Sequence, residues 1–208
     1  MIKLIVFDFD GTLVDTKKII YSIIKNLIEK STYQISHQLI KKELGDKSLK
    51  DSLSSLKVKS VDADKIEKES NYLTIKNASG MKMVKNLRKL KKFKQKKIIL
   101  SNNVTPFITA VLENLKANFF DEVYGADKFK DKPAKLKQLM KKYNLKPTQV
   151  LYIGDKTIDV DVARKAGCIS VSIIHKASWS PRKEVIAKKP DYVITDLMQL
   201  KKIISNLN

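Results

Sequence analysis

The sequence places two aspartates, Asp8 and Asp10, directly after the apolar run from Leu4 to Phe7. A charged group that is withdrawn from water is costly unless it is paired or binds a metal. Two carboxylates at positions i and i+2 repel each other unless they share a proton or face a cation. Taken alone, the pair could equally belong to a simple turn, because Asp-Gly sequences are common in turns.

Two later apolar runs also end in polar side chains. One ends in Ser101 and Asn102, and another ends in Asp155, with Asp159 one helical turn later. Each of these residues could instead cap a helix or favour its dipole. The carboxyl ends of parallel strands lie at one edge of a sheet, so we expect these side chains to meet Asp8 there. Carboxylate, hydroxyl and amide oxygens together would suit Mg²⁺ and a phosphate group.

A lysine at the start of a predicted helix supports the same site. Lys132 precedes Pro133, which is a favourable first residue of a helix. A positive charge at the N-terminus of a helix is unfavourable unless an anion lies nearby. A phosphate or an aspartate would be such an anion, and Lys130 is an alternative because lysine is abundant in this chain.

Most of the chain alternates between strand and helix patterns. Strands are predicted at 4–7, 97–102, 122–125, 150–153, 169–174 and 192–194. Helices are predicted between or after them at 83–90, 105–115, 133–143, 157–166 and 197–207. Short, continuously apolar strands that alternate with helices predict an α/β fold, a Rossmann-like parallel sheet with helices on both faces.

The first strand is separated from the others by a segment with helical patterns alone. Four helices are predicted there, at 19–28, 36–44, 48–56 and 61–75, and the last is polar and weakly patterned. The chain is therefore predicted to form a core of residues 1–14 and 81–208, with an all-helical cap domain of residues 15–80 inserted into it.

The composition is that of a folded protein with an excess of positive charge. The 208 residues include 42 Lys and Arg against 22 Asp and Glu, a formal net charge of +20. Such a charge would suit nucleic-acid binding, but the lysines are spread along the whole chain, so we expect it mainly to attract anionic substrates. The single cysteine, Cys168, excludes an internal disulfide and is expected in the core. The absence of a membrane-length apolar run and of a signal-peptide pattern favours a cytoplasmic location and no membrane partner.

Four short segments resemble the motifs of the haloacid dehalogenase superfamily, in order. They are 8–15 (DFDGTLVD), 101–102 (SN), 132–133 (KP) and 154–159 (GDKTID). Residues 154–167 and 189–194 (KPDYVI) resemble the phosphoglycolate phosphatase-like branch, which carries a helical cap at the position of the inserted helices. The resemblance covers about two thirds of the chain, the predicted core, and no part of the predicted cap.

This resemblance implies a Mg²⁺-dependent phosphatase that hydrolyses a small phosphomonoester through an aspartyl-phosphate intermediate on Asp8. Asp10 would act as general acid and then general base, and Lys132 would balance the negative charge. The implied phosphate-binding residues are Gly11, Ser101, Asn102 and Lys132. The implied metal ligands are Asp8, Asp10 through its backbone carbonyl, and Asp155. Asp159 would help to bind the metal or would order the groups around it.

Other functions remain open at this point. A phosphomutase of the same fold, acting on a sugar phosphate, would need the same aspartates. A nucleic-acid end phosphatase or a nucleic-acid-binding protein would explain the net charge, and a monomer or a homodimer is possible. A dehalogenase is disfavoured because Asp10 is present. Near the predicted cap, Thr16, Lys17 and Lys18 could meet the substrate, and Trp179 is expected to pack under a loop, with the mouth of the site as the alternative.

Overall fold

The computed structural model describes residues 1–45 and 48–207. Its strands are β1 (Leu4–Phe7), β2 (Val14–Asp15), β3 (Lys82–Met83), β4 (Lys96–Leu100), β5 (Glu122–Tyr124), β6 (Val150–Gly154), β7 (Ile169–Ile173) and β8 (Tyr192–Ile194). Its α-helices are α1 (Lys17–Glu29), α2 (His37–Glu43), α3 (Leu49–Ser55), α4 (Ser60–Lys76), α5 (Thr105–Asn114), α6 (Lys132–Lys142), α7 (Thr157–Ala166), α8 (Arg182–Ala187) and α9 (Leu200–Asn206). None of these helices is long and apolar enough to cross a membrane.

Six strands form one parallel sheet in the order β5-β4-β1-β6-β7-β8. The central strand, β1, is buried along its whole length between β4 and β6. Phe7 pairs with Ile99 on one side and with Ile153 on the other. This register makes the three central strands end at the same level, so the residues that follow them must be neighbours.

Each face of the sheet carries its own apolar cluster, because successive side chains of a strand point to opposite faces. Ile5 and Phe7 pack against α5 and α9, whereas Leu4 and Val6 pack against α6 and α7. The predicted fold class, a parallel sheet covered by helices on both faces, is confirmed.

Helices α1 to α4, called the inserted helices below, enclose a smaller apolar cluster of their own. It includes Ile24, Ile28, Ile40, Leu53 and Ile66, all of them buried. A short antiparallel ribbon of β2 and β3 joins the inserted helices to the sheet. The predicted boundaries, a core of 1–14 and 81–208 and a cap of 15–80, stay a prediction.

The α-helix predicted at 83–90 is wrong. Met83 belongs to β3, and a 3₁₀ helix spans Leu87–Lys92. Between them, Asn86 has a left-handed backbone with φ of 67°, and its side-chain amide donates to the carboxylate of Asp196. A left-handed residue interrupts a right-handed helix, so the apolar spacing alone was misleading here. Helix α8 was not predicted, because it is only six residues long.

Candidate active site

The three central strands deliver polar residues to one edge of the sheet. Asp8 follows β1, Ser101 follows β4 and Asp155 follows β6, and all three side chains are fully buried. Buried carboxylates need partners. The hydrogen-bond and ion-pair partners of each aspartate therefore indicate which chemistry this edge of the sheet can support.

Asp8 lies between two lysines. Its Oδ1 accepts a hydrogen bond of 2.9 Å from Lys132 Nζ, and Lys156 Nζ lies 3.3 Å from its Oδ2. Within the described ranges, Oδ2 accepts no hydrogen bond. Burial opposes ionisation of Asp8, but the charges of Lys132 and Lys156 outweigh it and lower the pKa of this carboxyl. Asp8 is therefore held as a carboxylate with one oxygen fixed.

Asp10 has a different environment, because its partners are mostly neutral. Its Oδ2 accepts hydrogen bonds from the Asn103 side-chain amide and, at 3.4 Å, from Ser101 Oγ. Burial raises the pKa of Asp10, although the charge of Lys156 opposes this shift. The pKa of Asp8 is thus lowered and that of Asp10 is raised. These are the directions that an ionised carboxylate and a proton donor require.

Lys132 reaches this cluster from the first turn of α6. Asp131 caps that helix by accepting a hydrogen bond of 2.8 Å from the backbone N–H of Ala134. The Lys132 ammonium also donates to the Tyr152 hydroxyl at 3.1 Å. Lys130, the alternative, is exposed. The structure therefore brings Lys132 to Asp8.

The remaining two carboxylates are anchored by hydrogen bonds. Asp155 accepts from Thr12 Oγ1 at 3.0 Å and from the backbone N–H of Trp179 at 2.6 Å. Asp159 accepts from the Tyr152 hydroxyl and from the backbone N–H of Lys156, each at 3.0 Å. Burial raises the pKa of both carboxyls, and neighbouring negative charge adds to the effect.

The donor set of this cluster fits a hard divalent cation. Asp8, Asp155 and Asp159 each offer a carboxylate oxygen, and these atoms lie within 4.8 Å of one another. Asp8 Oδ2 favours a cation here, because within the described residues this buried oxygen accepts no hydrogen bond and only the charge of Lys156, 3.3 Å away, offsets its loss of water. The Asp10 carboxylate is not part of this group, so its predicted ligand, the backbone carbonyl, stays a prediction.

Two glycines allow the cluster to close. Gly11 has φ of 73°, and a Cβ added there would overlap the Asp155 carboxylate. A Cβ at Gly154 would overlap Asp159. The Gly11 N–H donates to the Val14 carbonyl at 2.8 Å, inside its own turn. The visible role of Gly11 is therefore to let Asp155 approach, and its predicted contact with phosphate stays a prediction.

Ser101 and Asn102 do not cap the next helix. Helix α5 begins after Val104, and the Ser101 hydroxyl instead accepts a hydrogen bond of 3.2 Å from the backbone N–H of Asn103. Asn102 is exposed and lines the cavity described below. The Ser101 hydroxyl also donates to Asp10, at 3.4 Å, so the phosphate contact of both residues stays a prediction.

Sequence reasoning missed Lys156, Tyr152 and Asn103, which all contact the cluster. Lys156 directly follows Asp155, but one more lysine carried no signal in a lysine-rich chain. Tyr152 occupies a strand position that is usually apolar, and its hydroxyl joins Lys132 to Asp159. Asn103 was overlooked because it follows the recognised motif by one residue.

A cavity of about 290 Å³ separates the cluster from the inserted helices. Asp10, Lys156 and Asn103 line it on the side of the sheet, and the inserted helices form the opposite side. Trp179 also lines it, so the alternative position at the mouth of the site is the correct one. Lys17 of α1 donates to the Trp179 carbonyl at 3.0 Å and thereby ties the inserted helices to this loop.

A comparison with protein families agrees with this geometry. The model of the haloacid dehalogenase-like hydrolases matches residues 5–173. The chain belongs to this family. The similar solved structures include a protein from Bacteroides fragilis described as a haloacid dehalogenase-like hydrolase, with a TM-score of 0.83, 25% identity and coverage of 96% of this chain and 100% of that one. A haloacid dehalogenase-like family protein from Streptococcus pneumoniae has a TM-score of 0.82, 21% identity and coverage of 98% of each chain, and shows the fold alone.

Among curated relatives, the chain is similar to a phosphoglycolate phosphatase of Vibrio vulnificus strain CMCP6. The two are 31% identical over 110 residues, which is 51% of this chain and 47% of the relative. The chain thus spans about half the length of the curated relatives it matches. The resemblance to the phosphoglycolate phosphatase-like branch is confirmed.

Proposed function

We propose that this protein is a Mg²⁺-dependent phosphatase that hydrolyses a small phosphomonoester through an aspartyl-phosphate on Asp8. The observation that carries the proposal is the state of Asp8 itself. It is fully buried, its Oδ1 is fixed by Lys132, and its Oδ2 accepts no hydrogen bond within the described residues. A buried carboxylate oxygen that accepts no hydrogen bond and has an ammonium 3.3 Å away suits a nucleophile that must meet an anionic phosphate.

Asp8, Asp155 and Asp159 would hold the metal, together with the backbone carbonyl of Asp10. A bound Mg²⁺ offsets the repulsion between the carboxylates and an incoming phosphate and stabilises the charge of the transferring group. The buried group of three carboxylates supports this assignment.

In the first step, a carboxylate oxygen of Asp8 would form a bond to phosphorus while the bond from phosphorus to the ester oxygen breaks. Asp10 would give its proton to that leaving oxygen, and the raised pKa of Asp10 favours the protonated form that this role requires. The product alcohol departs, and the phosphoryl group stays on Asp8.

In the second step, Asp10 would accept a proton from a water molecule as the water oxygen attacks phosphorus. The bond between phosphorus and the Asp8 oxygen then breaks and releases inorganic phosphate. Lys132 would balance the charge of Asp8 and the phosphoryl oxygens, which Ser101 and Asn102 would also contact. Lys156, whose ammonium is 3.3 Å from Asp8 Oδ2, would add positive charge to the same group.

The comparison with the Vibrio vulnificus phosphoglycolate phosphatase supports a phosphate monoester as the substrate class. The identity of that ester does not follow from it, because the match covers 47% of the relative.

Release of inorganic phosphate from a panel of phosphorylated metabolites, measured with and without Mg²⁺, tests the proposal. We expect Asp8→Asn to lower turnover at least about 10⁴-fold, since it removes the nucleophile. Asp64→Asn is the matched control, because Asp64 is exposed and pairs with the exposed Lys50, at 2.6 Å. Turnover by Asp8→Asn near the parent rate, with both variants folded by circular dichroism, would remove Asp8 as nucleophile. Isomerisation of a sugar monophosphate without phosphate release would instead indicate the phosphomutase.

A further inference from the structure

Helix α4 buries the apolar side chains of Ala63 and Ile66 in its first half, but polar side chains in its second half. Ser70 and Thr74 are buried, with 4% exposure each, whereas Val61 and Tyr72 are exposed at 68% and 64%. Buried polar side chains and exposed large apolar ones are the informative exceptions in a folded protein. The second half of the helix therefore turns polar side chains inward, and this inward face needs an explanation.

Four polar residues form that inward face, and we call them the α4 polar row: Glu67, Ser70, Asn71 and Thr74. Their positions, i, i+3, i+4 and i+7, lie on one side of a helix. All four line the cavity that opens onto Asp10 and Lys156. The row thus faces the place where the leaving group of a phosphate ester at Asp8 would lie.

The row offers hydrogen-bonding groups and one negative charge. The Thr74 hydroxyl donates to the backbone carbonyl of Ser70 at 2.6 Å, so its oxygen can still accept. Asn71 provides both donors and an acceptor, and Glu67 provides acceptors alone when ionised. Both side chains are half-buried. Such a surface can bind hydroxyl groups, whereas its carboxylate repels a second carboxylate.

The positive charges among the described cavity residues lie elsewhere. Lys156 is paired with Asp8, and Lys130 is exposed at the rim on the side of the sheet. Trp179 and Ile24 add apolar area to the same cavity. A volume of about 290 Å³ is enough for a compact group such as one sugar ring.

We propose that the α4 polar row binds the leaving group of the substrate, and that this group carries hydroxyls and no carboxylate. The inference rests on the proposed phosphatase function, since the leaving group is defined by the ester cleaved at Asp8. It distinguishes the substrate of this chain from phosphoglycolate, because the leaving group of phosphoglycolate carries a carboxylate beside its hydroxyl oxygen.

Binding to an inactive variant tests this inference independently of turnover. Asp8→Asn protein with Mg²⁺ is titrated by calorimetry with glucose 6-phosphate, ribose 5-phosphate, glycerol 3-phosphate and 2-phosphoglycolate. We expect at least one hydroxylated ester to bind about tenfold more tightly than 2-phosphoglycolate, the equivalent of about one charge-assisted hydrogen bond.

Changes in the row should then act selectively. In the same background, Asn71→Ala should weaken the best hydroxylated ester about fivefold to tenfold, while inorganic phosphate binding changes less than about twofold. Glu67→Gln should reduce the difference in affinity between the best hydroxylated ester and 2-phosphoglycolate about fivefold, because the charge that repels the carboxylate is gone. Glu69→Gln is the control, since Glu69 is on the same helix but exposed and outside the cavity lining.

Tighter binding of 2-phosphoglycolate than of every hydroxylated ester would overturn the inference, and so would equal effects of Glu67→Gln and Glu69→Gln. The phosphatase function is judged separately, by turnover of p-nitrophenyl phosphate in the parent protein. Selective binding without any turnover would keep the row as a sugar-phosphate surface and remove the proposed reaction.

Discussion

The edge of the sheet and the inserted helices use polar residues in opposite ways. At the sheet edge, every buried carboxylate has a defined partner, such as Lys132 for Asp8 and Thr12 for Asp155. On α4, the polar residues face a cavity, and Glu67 and Asn71 are half-buried. The polar side chains of the sheet edge are thus held in place by hydrogen bonds and ion pairs, whereas those of α4 border open space. This difference predicts that changes at the edge affect the rate and changes in the helices affect substrate choice.

After Asp8→Asn, the largest effect is expected at Lys132. Replacing it with methionine keeps most of the packing but removes the ammonium that donates to Asp8 Oδ1 and to the Tyr152 hydroxyl. We expect Lys132→Met to lower kcat about 10³-fold, comparable to the loss of one electrostatic stabiliser of a transition state. Lys130→Met, two residues away and exposed, should stay within about twofold by the same phosphate-release assay. Similar losses of kcat in both variants would show that the effect does not depend on the position of Lys132 beside Asp8.

A smaller effect is expected at Lys156, where the ammonium neighbours Asp8 Oδ2 at 3.3 Å. Lys156→Met should lower the thermal midpoint without metal, because buried carboxylates lose a compensating charge. Mg²⁺ should then raise the midpoint more in the variant than in the parent, since no ammonium opposes the cation.

Lys165→Met is the control for this measurement, because Lys165 is on α7 but exposed. Differential scanning fluorimetry with and without Mg²⁺ compares the three proteins. An identical Mg²⁺-induced shift in the parent and in Lys156→Met would contradict a cation among Asp8, Asp155 and Asp159.

The smallest effect on chemistry is expected from the apolar cluster of the inserted helices. Leu53→Ala removes a fully buried side chain there and should lower the free energy of unfolding by about 2–4 kcal/mol. At 25 °C, kcat for p-nitrophenyl phosphate should stay within about twofold, because the sheet edge is untouched. Urea unfolding and steady-state kinetics on the same preparation check both numbers. A drop in kcat as large as that of Lys132→Met would erase the distinction between the two regions.

The sequence predicted the sheet edge better than the inserted helices, for a physical reason. Parallel strands must end at a common edge, so Asp8, Ser101 and Asp155 could be placed together before their register was known. Lys132 could be found because a cation is unfavourable at a helix N-terminus. No comparable rule identifies Lys156 in a chain with 42 basic residues. The catalytic and metal-binding roles of these residues remain predictions.

The inserted helices illustrate how periodicity alone misleads. The segment that became α4 was expected to be a polar, weakly patterned helix, and its span of Ser60–Lys76 agrees with that expectation. The weak pattern arises because polar residues such as Ser70 are buried and line the cavity, and apolar periodicity cannot detect such residues. The helix predicted at 83–90 failed for a different reason, since the left-handed backbone of Asn86 is invisible to apolar spacing.

The ribbon of β2 and β3 has a consequence for how such a chain can change. Val14 pairs with Met83 and Asp15 pairs with Lys82, so the chain leaves the sheet and returns to it at adjacent points. The span between these two points is therefore independent of the length of the intervening segment. Helices in that segment can be lengthened, shortened or exchanged as one module without altering the register of β1 against β4. The architecture thus permits a new specificity to be acquired by replacing a single continuous stretch of sequence.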